Sequence, residues 1–425
     1  MRNDSPTARL IDLAAEITAC GPRALAYDGL RLLQHADRLE QVLRGEGENV
    51  VPVTIDFWPS LSCNARCPTC PYRLSGARDK ADETATLALV DTVHAREILT
   101  GARIAGVRSV IFTGGGDPLL HPSIGQIARM ARASGLQWAL FTNGLLLDAA
   151  TAATLIAAGP TFLRVSLDAG TAPQHAKTYG LPERAFDQVI ANILAAAKVA
   201  RVTGKPLFGL SFTLSPTTAE NELESIRVLI SQLRREVGHG LGLIAFRPRL
   251  VHYLNGTVCV PQPHRSCFEP LAEAIRQIII EPLVSDPNNP VRLDLKVGLF
   301  KQAAVAHGAP GCVSTGWHTT IDHEGVGYAT AELAGVRDTG QCWGCISRAR
   351  SFKTKWFGSP RLRLYRDFSS GRVNVPVVHR TSPIDAFLRT LAEAVCHRFD
   401  PKEARDAAEA VARASWYHTP NPDFV

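Results

Sequence analysis

From residue 51 onward, short apolar runs alternate with longer stretches in which apolar residues recur every three or four positions. The runs Val51–Phe57, Ser109–Thr113, Trp138–Thr142, Phe162–Leu167, Leu207–Leu214 and Leu241–Arg247 predict strands. Helical patterns fill the gaps. The clearest is Pro182–Gly204, where Phe186, Val189, Ile190, Ile193, Leu194 and Ala197 form one stripe and Gly204 can end the helix. Asp148–Ala158 is a second, with Asp148 as N-cap and Gly159 as stop. Six such repeats predict parallel strands joined by crossover helices. Periodicity alone does not separate a doubly wound sheet from a barrel.

The flanks differ. Residues 1–50 carry Leu10, Leu13, Ala14 and Ile17 at helical spacing and predict a helical cap. After Val251 the chain is broken by Pro261, Pro263, Pro270, Pro282, Pro287 and Pro290. A hairpin pattern follows, His318–Ile321 and Val326–Ala331 around Asp322-His323-Glu324-Gly325, and Ile384–Ala414 reads as helix. The expected division is a cap (1–50), an α/β domain (51–255) and a cysteine-containing C-terminal module (256–425).

Composition narrows the class. Hydrophobic content of 45% and charged content of 20% are ordinary for a globular protein. No apolar run approaches the roughly 20 residues of a membrane helix, and the first residues lack the basic-then-apolar order of a signal peptide. The expected location is the cytoplasm, with no membrane partner. The formal charge of +6 is spread along the chain. Its densest stretch, Arg348 to Arg366, is interleaved with Phe352, Trp356 and Phe357. That pattern suits nucleic acid, but a solvated surface with anchoring aromatics explains it more simply, so no nucleic-acid partner is expected.

Ten cysteines are many for an intracellular chain. Cys20 and Cys396 stand alone in Ala-rich contexts and read as small core residues. Cys63, Cys67 and Cys70 crowd into the loop after the first strand, where barrel enzymes place active sites. Three thiolates form a soft anionic set suited to iron–sulfur or zinc. A cubane held by three leaves one iron without a protein ligand; zinc completed by His or a distant Cys is the alternative. The second strand ends in Thr113-Gly114-Gly115-Gly116-Asp117-Pro118. Consecutive glycines let the backbone approach a ligand closely, and no Gly-Lys-Ser/Thr follows to make a phosphate loop.

CxxxCxxC after the first strand, followed by this glycine-rich acidic turn, resembles the signature of the radical S-adenosylmethionine (SAM) superfamily over about residues 51–250. The resemblance implies a partial (β/α)6 TIM barrel and a [4Fe–4S] cluster on Cys63, Cys67 and Cys70. SAM would chelate the open iron, and its reductive cleavage would give a 5′-deoxyadenosyl radical. By the same resemblance Gly114, Gly115 and Gly116 receive the methionine amino group. Asp117 stands where Glu is commoner. Ser166 and Asp168 in Arg164-Val165-Ser166-Leu167-Asp168 suit the SAM hydroxyls, and His175 or Lys177 its carboxylate. Asn143 would face the same pocket. Thr69 departs from the aromatic that many relatives carry there; Tyr72 can supply that contact instead. Cys267, Cys312, Cys342 and Cys345 resemble the ligands of an auxiliary module, holding a second [4Fe–4S] cluster or zinc.

The resemblance leaves the reaction open. Ser211, Thr213, Arg247, Arg249 and Tyr253 are candidate substrate residues on later strands. Arg247 and Arg249 share a strand face by alternation and can bind a carboxylate or phosphate. His252, Glu222 and Lys177 are acid–base candidates, and Cys259 is a candidate hydrogen donor. The cysteine and Ser-Leu-Asp-Ala-Gly-Thr stretches look most like enzymes of aminoglycoside and sugar pathways. The favoured expectation is a lyase-type dehydration of a vicinal diol in a small carbohydrate-like substrate, in antibiotic biosynthesis. A flavodoxin-type electron donor and a partner NAD(P)H reductase would serve it. An aminocyclitol dehydrogenase and an epimerase are alternatives. A peptide-modifying enzyme would need a leader-binding domain, for which residues 1–50 look too short. A zinc-containing nucleic-acid-binding protein is the alternative outside enzymes.

Overall fold

Strands Thr54–Phe57 (β1) and Ser109–Phe112 (β2) are buried along their whole length, as parallel strands covered by helices must be. The computed structural model describes residues 35, 37, 38, 41, 46–74, 88–203, 208–215, 218–249, 252–254, 257–259, 268–285, 292–295, 317–329, 342–347 and 349–369. Between β1 and β2 lie helices Pro71–Leu74 (α1) and Thr92–Ala105 (α2); Ile124–Ala133 (α3) leads into Gln137–Thr142 (β3). Ala149–Ala157 (α4) precedes Phe162–Ser166 (β4), and Ala172–Tyr179 (α5) and Arg184–Arg201 (α6) precede Phe208–Leu214 (β5). Glu220–Val237 (α7) leads to Leu241–Pro248 (β6). All six expected strands form within a few residues of their expected ends.

The expected helical details hold as well. Asp148 accepts from the Thr151 amide at 2.8 Å and caps α4, and Gly159 follows at φ 72°. On α6, Phe186, Val189, Ile193 and Ala197 are buried, with Ile190 and Leu194 partly so. Asn192 interrupts that stripe, its amide donating to the Gly144 and Leu145 carbonyls. The stripe therefore grips both the sheet and the loop after β3.

Beyond β6 the chain forms a separate two-stranded ribbon, His252–Leu254 (β7) with Thr257–Cys259 (β8). Helix Phe268–Ile275 (α8) continues through a π-helical segment to Val284. Arg292–Leu295 (β9) then pairs in parallel with β6. The hairpin His318–Ile321 (β10) and Val326–Tyr328 (β11) is found where the turn chemistry placed it. Its position is new information, because β10 pairs in parallel with β1 and Cys342–Cys345 (β12) pairs with β11. One ten-stranded sheet results, ordered β12-β11-β10-β1-β2-β3-β4-β5-β6-β9, parallel except for the hairpin edge. It ends on β12 and β9 without closing: a mixed α/β, partial-barrel fold.

Trp343 on β12 is buried, donates to Thr319 Oγ1 at 2.9 Å, and packs edge-on against Phe352 and Trp356 of helix Phe352–Trp356 (α9). Those two aromatics of the basic stretch are therefore core anchors; Arg350, Lys353, Arg363 and Arg366 are exposed, while Arg361 is buried over the Trp356 ring. Helix Ser359–Ser369 (α10) follows, with Arg361 and Arg366 bonded to Glu48. Most of residues 1–50, the 384–414 helix, Cys20 and Cys396 lie outside the described residues. No helix among the described residues is long and apolar enough to cross a membrane.

Trp343→Ala should cost about 3–5 kcal/mol, the range for emptying a large aromatic from a core. Urea unfolding of the metal-free chain measures it, and an unchanged midpoint would detach β12 from the sheet.

Candidate radical SAM site

The turn after β2 sits on the loop after β1 with no room for side chains. A Cβ on Gly116 would overlap the Ser62 carbonyl oxygen, and one on Gly115 would lie 2.5 Å from Leu61 Cδ1. The Gly116 and Asp117 amides donate to the Ser60 and Ser62 carbonyls at 3.2 and 2.9 Å. The cysteine loop therefore leaves β1 along a track fixed by β2. Its far side is tied to the end of α5: the Arg66 amide donates to the Tyr179 carbonyl at 2.8 Å. Gly180, at φ 61°, clears the Arg66 carbonyl, which a side chain there would strike.

Cys63, Cys67 and Cys70 are each half-buried on this loop. Burial, with the neighbouring Cys70, Cys63 and Asp168, pushes the Cys67 thiol up to about 12. Metal binding must therefore expel a tightly held proton, and the metal's positive charge supplies the compensation. Among the described residues no three Cys, His, Asp or Glu converge as a single metal ion requires.

Asp117 was expected at the cofactor. The structure turns it inward: its carboxylate accepts from the Leu119 and Asn143 amides at 2.9 and 2.8 Å and from the Thr142 hydroxyl at 2.8 and 3.0 Å. Burial raises its pKa against those bonds. Asp117 thus clamps the β2 turn to the end of β3. That clamp presents Asn143, whose amide donates to Asn64 Oδ1 at 2.7 Å and lies 3.8 Å from Cys63 Sγ.

A cleft of about 340 Å³ opens beside Pro68 and Thr69, with Asp168, Lys177, Thr213, Glu222 and Arg249 among its walls. Asp168 is held at φ 50°, where a non-glycine residue is strained. Its carboxylate accepts from the Thr213 amide at 2.6 Å and lies 3.9 Å from Arg249. Burial raises its pKa, and Arg249 opposes the rise. Ser211 donates to Ser166 at 3.4 Å, and the Tyr179 hydroxyl donates to the Ser166 carbonyl at 2.5 Å. Glu222 also caps α7 through the Ala219 amide at 3.2 Å.

Other expected residues have the following surroundings. His175 is buried among aromatics, stacked on Tyr179 at 4.6 Å and 5.6 Å from Phe186, away from the cleft. Desolvation pushes its pKa down to about 4, so it is a neutral core ring. Tyr72 packs edge-on against Trp58. Arg247 and Arg249 part company: Arg249 turns to Asp168, Arg247 to the Phe141 ring. His252 and Cys259 are register partners across the β7–β8 ribbon, next to Tyr253; their side chains, Cys267 and Cys312 lie outside the described residues. Cys342 and Cys345 are exposed thiols. Sequence reasoning missed Gln174, Thr178 and Tyr179. The spacing of 174, 177 and 178 on one helical face was the signal available.

The Radical SAM superfamily model matches residues 59–216, from the cysteine loop to just beyond β5. This stretch is a radical SAM domain. The cofactors of such domains are a [4Fe–4S] cluster and SAM, and the three thiols on one loop are a donor set that suits the cluster. Over 187 residues the chain is 29% identical to an AdoMet-dependent heme synthase of Methanosarcina barkeri (strain Fusaro / DSM 804), covering 44% of this chain and 48% of that protein. It is 39% identical over 109 residues to a GTP 3′,8-cyclase of Chlorobaculum tepidum, covering 25% and 30%. The chain thus spans about half or less of these relatives. Streptococcus suis SuiB, whose structures include complexes with SAM and with the precursor peptide SuiA, superposes with a TM-score of 0.56 at 14% identity, covering 78% of this chain and 71% of SuiB. That likeness is one of fold.

In the cluster-free protein, Cys67 should resist iodoacetamide at pH 8, because with a pKa of about 12 only about one thiol in ten thousand is ionised there. Its labelling, followed by mass spectrometry, should climb as the pH approaches that value; rapid labelling at neutral pH refutes the burial argument. Gly116→Ala should cut iron incorporation during anaerobic reconstitution at least tenfold, since loop and turn cannot both keep their paths.

Proposed function

We propose that this radical SAM enzyme abstracts a hydrogen atom from a small, carbohydrate-like substrate, and that the reaction is dehydration of a vicinal diol. The observation that supports the radical step is the three-cysteine loop seated on Gly114–Gly116 and opening onto the cleft. Bound there, the cluster and SAM supply the 5′-deoxyadenosyl radical. Cys63, Cys67 and Cys70 are the cluster ligands in this reading. The glycine turn takes the methionine amino group, Asp168 and Ser166 hold the nucleoside hydroxyls, and Lys177 or Arg249 the carboxylate.

Glu222 and Lys177, both on the cleft wall, are the acid–base candidates in this reading. Protonating the departing hydroxyl lets it leave as water. One electron and one proton then convert the substrate radical to a ketone; a flavodoxin-type donor provides the electron, and an NAD(P)H reductase would complete the deoxygenation. Dehydration rests on likeness to sugar-pathway enzymes. The exposed Cys342 and Cys345 favour a second reading, an aminocyclitol dehydrogenase, in which an auxiliary cluster held partly by these thiols accepts the electron.

Anaerobically reconstituted protein should release 5′-deoxyadenosine from SAM when reduced, and Cys63→Ala, Cys67→Ala and Cys70→Ala should each abolish the release. Persistence in any of the three removes that cysteine from its role. With a converted substrate, product mass decides the reaction: loss of one water supports dehydration, and loss of two hydrogens supports the dehydrogenase.

A further inference from the structure

Asn143 follows β3 directly, and both polar atoms of its side chain are directed by neighbours. Its Oδ1 accepts from the Leu145 amide at 3.0 Å. An oxygen must meet the N–H there, so the amide cannot be turned over and Nδ2 faces the cysteine loop. Nδ2 carries two hydrogens and meets two acceptors, Asn64 Oδ1 at 2.7 Å and Cys63 Sγ at 3.8 Å. The main chain beneath is pinned as well. The Asn143 amide donates to Asp117 Oδ2 at 2.8 Å, and Asn192 Nδ2 reaches the Gly144 and Leu145 carbonyls at 2.9 and 3.0 Å. Asn143 is 8% exposed. A second donor, the Ala65 amide, lies 3.5 Å from the same sulfur.

Holding the loop accounts for the Asn64 contact and leaves the sulfur contact over. A neutral thiol is a weak acceptor and gains little from a donor at that distance. A thiolate carries charge, so the same contact strengthens, the more so where burial lowers the local dielectric. The amide is thus placed for the metal-bound form of Cys63. One electron added to a cluster held there increases the negative charge on its sulfurs, and a fixed N–H dipole favours that reduced form. We infer that Asn143 tunes the cluster: its Nδ2–H···Sγ hydrogen bond to Cys63 raises the reduction potential, so that a weaker one-electron donor suffices to start SAM cleavage. Asn143 is a positioning residue that acts through Cys63. This differs from the SAM contact expected of it, because both N–H groups of its side chain are taken up by the cysteine loop. The inference rests on the proposed reading of Cys63 as a cluster ligand.

Redox titration of the reconstituted full chain, followed by the EPR signal of the reduced cluster, tests this. Asn143→Leu removes the donor and keeps an apolar side chain of similar length. Asn143→Asp keeps the shape and the Leu145 contact and replaces the donor with a carboxylate. At one fixed potential, the ratio of reduced to oxidised cluster should fall about tenfold in Asn143→Leu, equivalent to a midpoint about 59 mV more negative. In Asn143→Asp it should fall further. Asn64→Ala, which leaves the Asn143 donor beside Cys63, should keep the wild-type midpoint. Iron content per chain, measured on each sample, separates potential from loading. A wild-type midpoint in a loaded Asn143 variant overturns the assignment, as does a shift in Asn64→Ala equal to that in Asn143→Leu. Where only one Asn143 variant loads iron, its midpoint decides. Where neither does, Asn143 serves only to hold the loop, and the assignment is overturned as well. Failure of the ligand reading is seen separately, as Cys63→Ala that loads iron and gives the reduced-cluster signal of the wild type.

Discussion

The site depends on a contact between two pieces of backbone. Gly116 lies against the Leu61 and Ser62 main chain at a distance that no Cβ tolerates, so the second strand's turn sets the path of the loop leaving the first. That loop carries all three cysteines, and its other end is held by the last turn of α5. A cluster ligand set needs its thiols delivered in a fixed arrangement before the metal arrives, since ordering them afterwards would cost binding energy. Here the order comes from close-packed main chain, with little contribution from side chains.

Around that contact the protein buries charge unevenly. Asp117 is fully satisfied by two amides and a hydroxyl and works as a clamp between β2 and β3. Asp168 is partly satisfied, in a strained backbone conformation, with Arg249 just outside ordinary contact. Arg164 has only a ring. The superfamily fixes the cofactors; the residues facing into the barrel distinguish one member from another.

The architecture explains why such a lumen can exist. A sheet that closed on itself would fill its interior with side chains. This one ends on β12 and β9, and Thr213 of its inner face reaches the cleft wall while Arg164 and Ser211 are buried. The hairpin extends the sheet beyond β1 and brings Cys342 and Cys345 to its edge, where they remain exposed.

The sequence by itself determined the six core strands, the capped helix at Asp148, the α6 stripe, the hairpin and the cysteine–glycine constellation. Each depends on residues near one another in the chain, so spacing and turn chemistry suffice to read them. The joining of β10 to β1 was not legible, because hairpin periodicity says nothing about which distant edge it meets. Nor were the inward turn of Asp117, the burial of His175 among Tyr179 and Phe186, or the separation of Arg247 from Arg249. Those outcomes depend on which hydrogen-bond donors and rings other strands bring within a few ångströms. Only tertiary packing decides them: a side chain's partner is chosen by desolvation at its final position, and one-dimensional order does not encode that position.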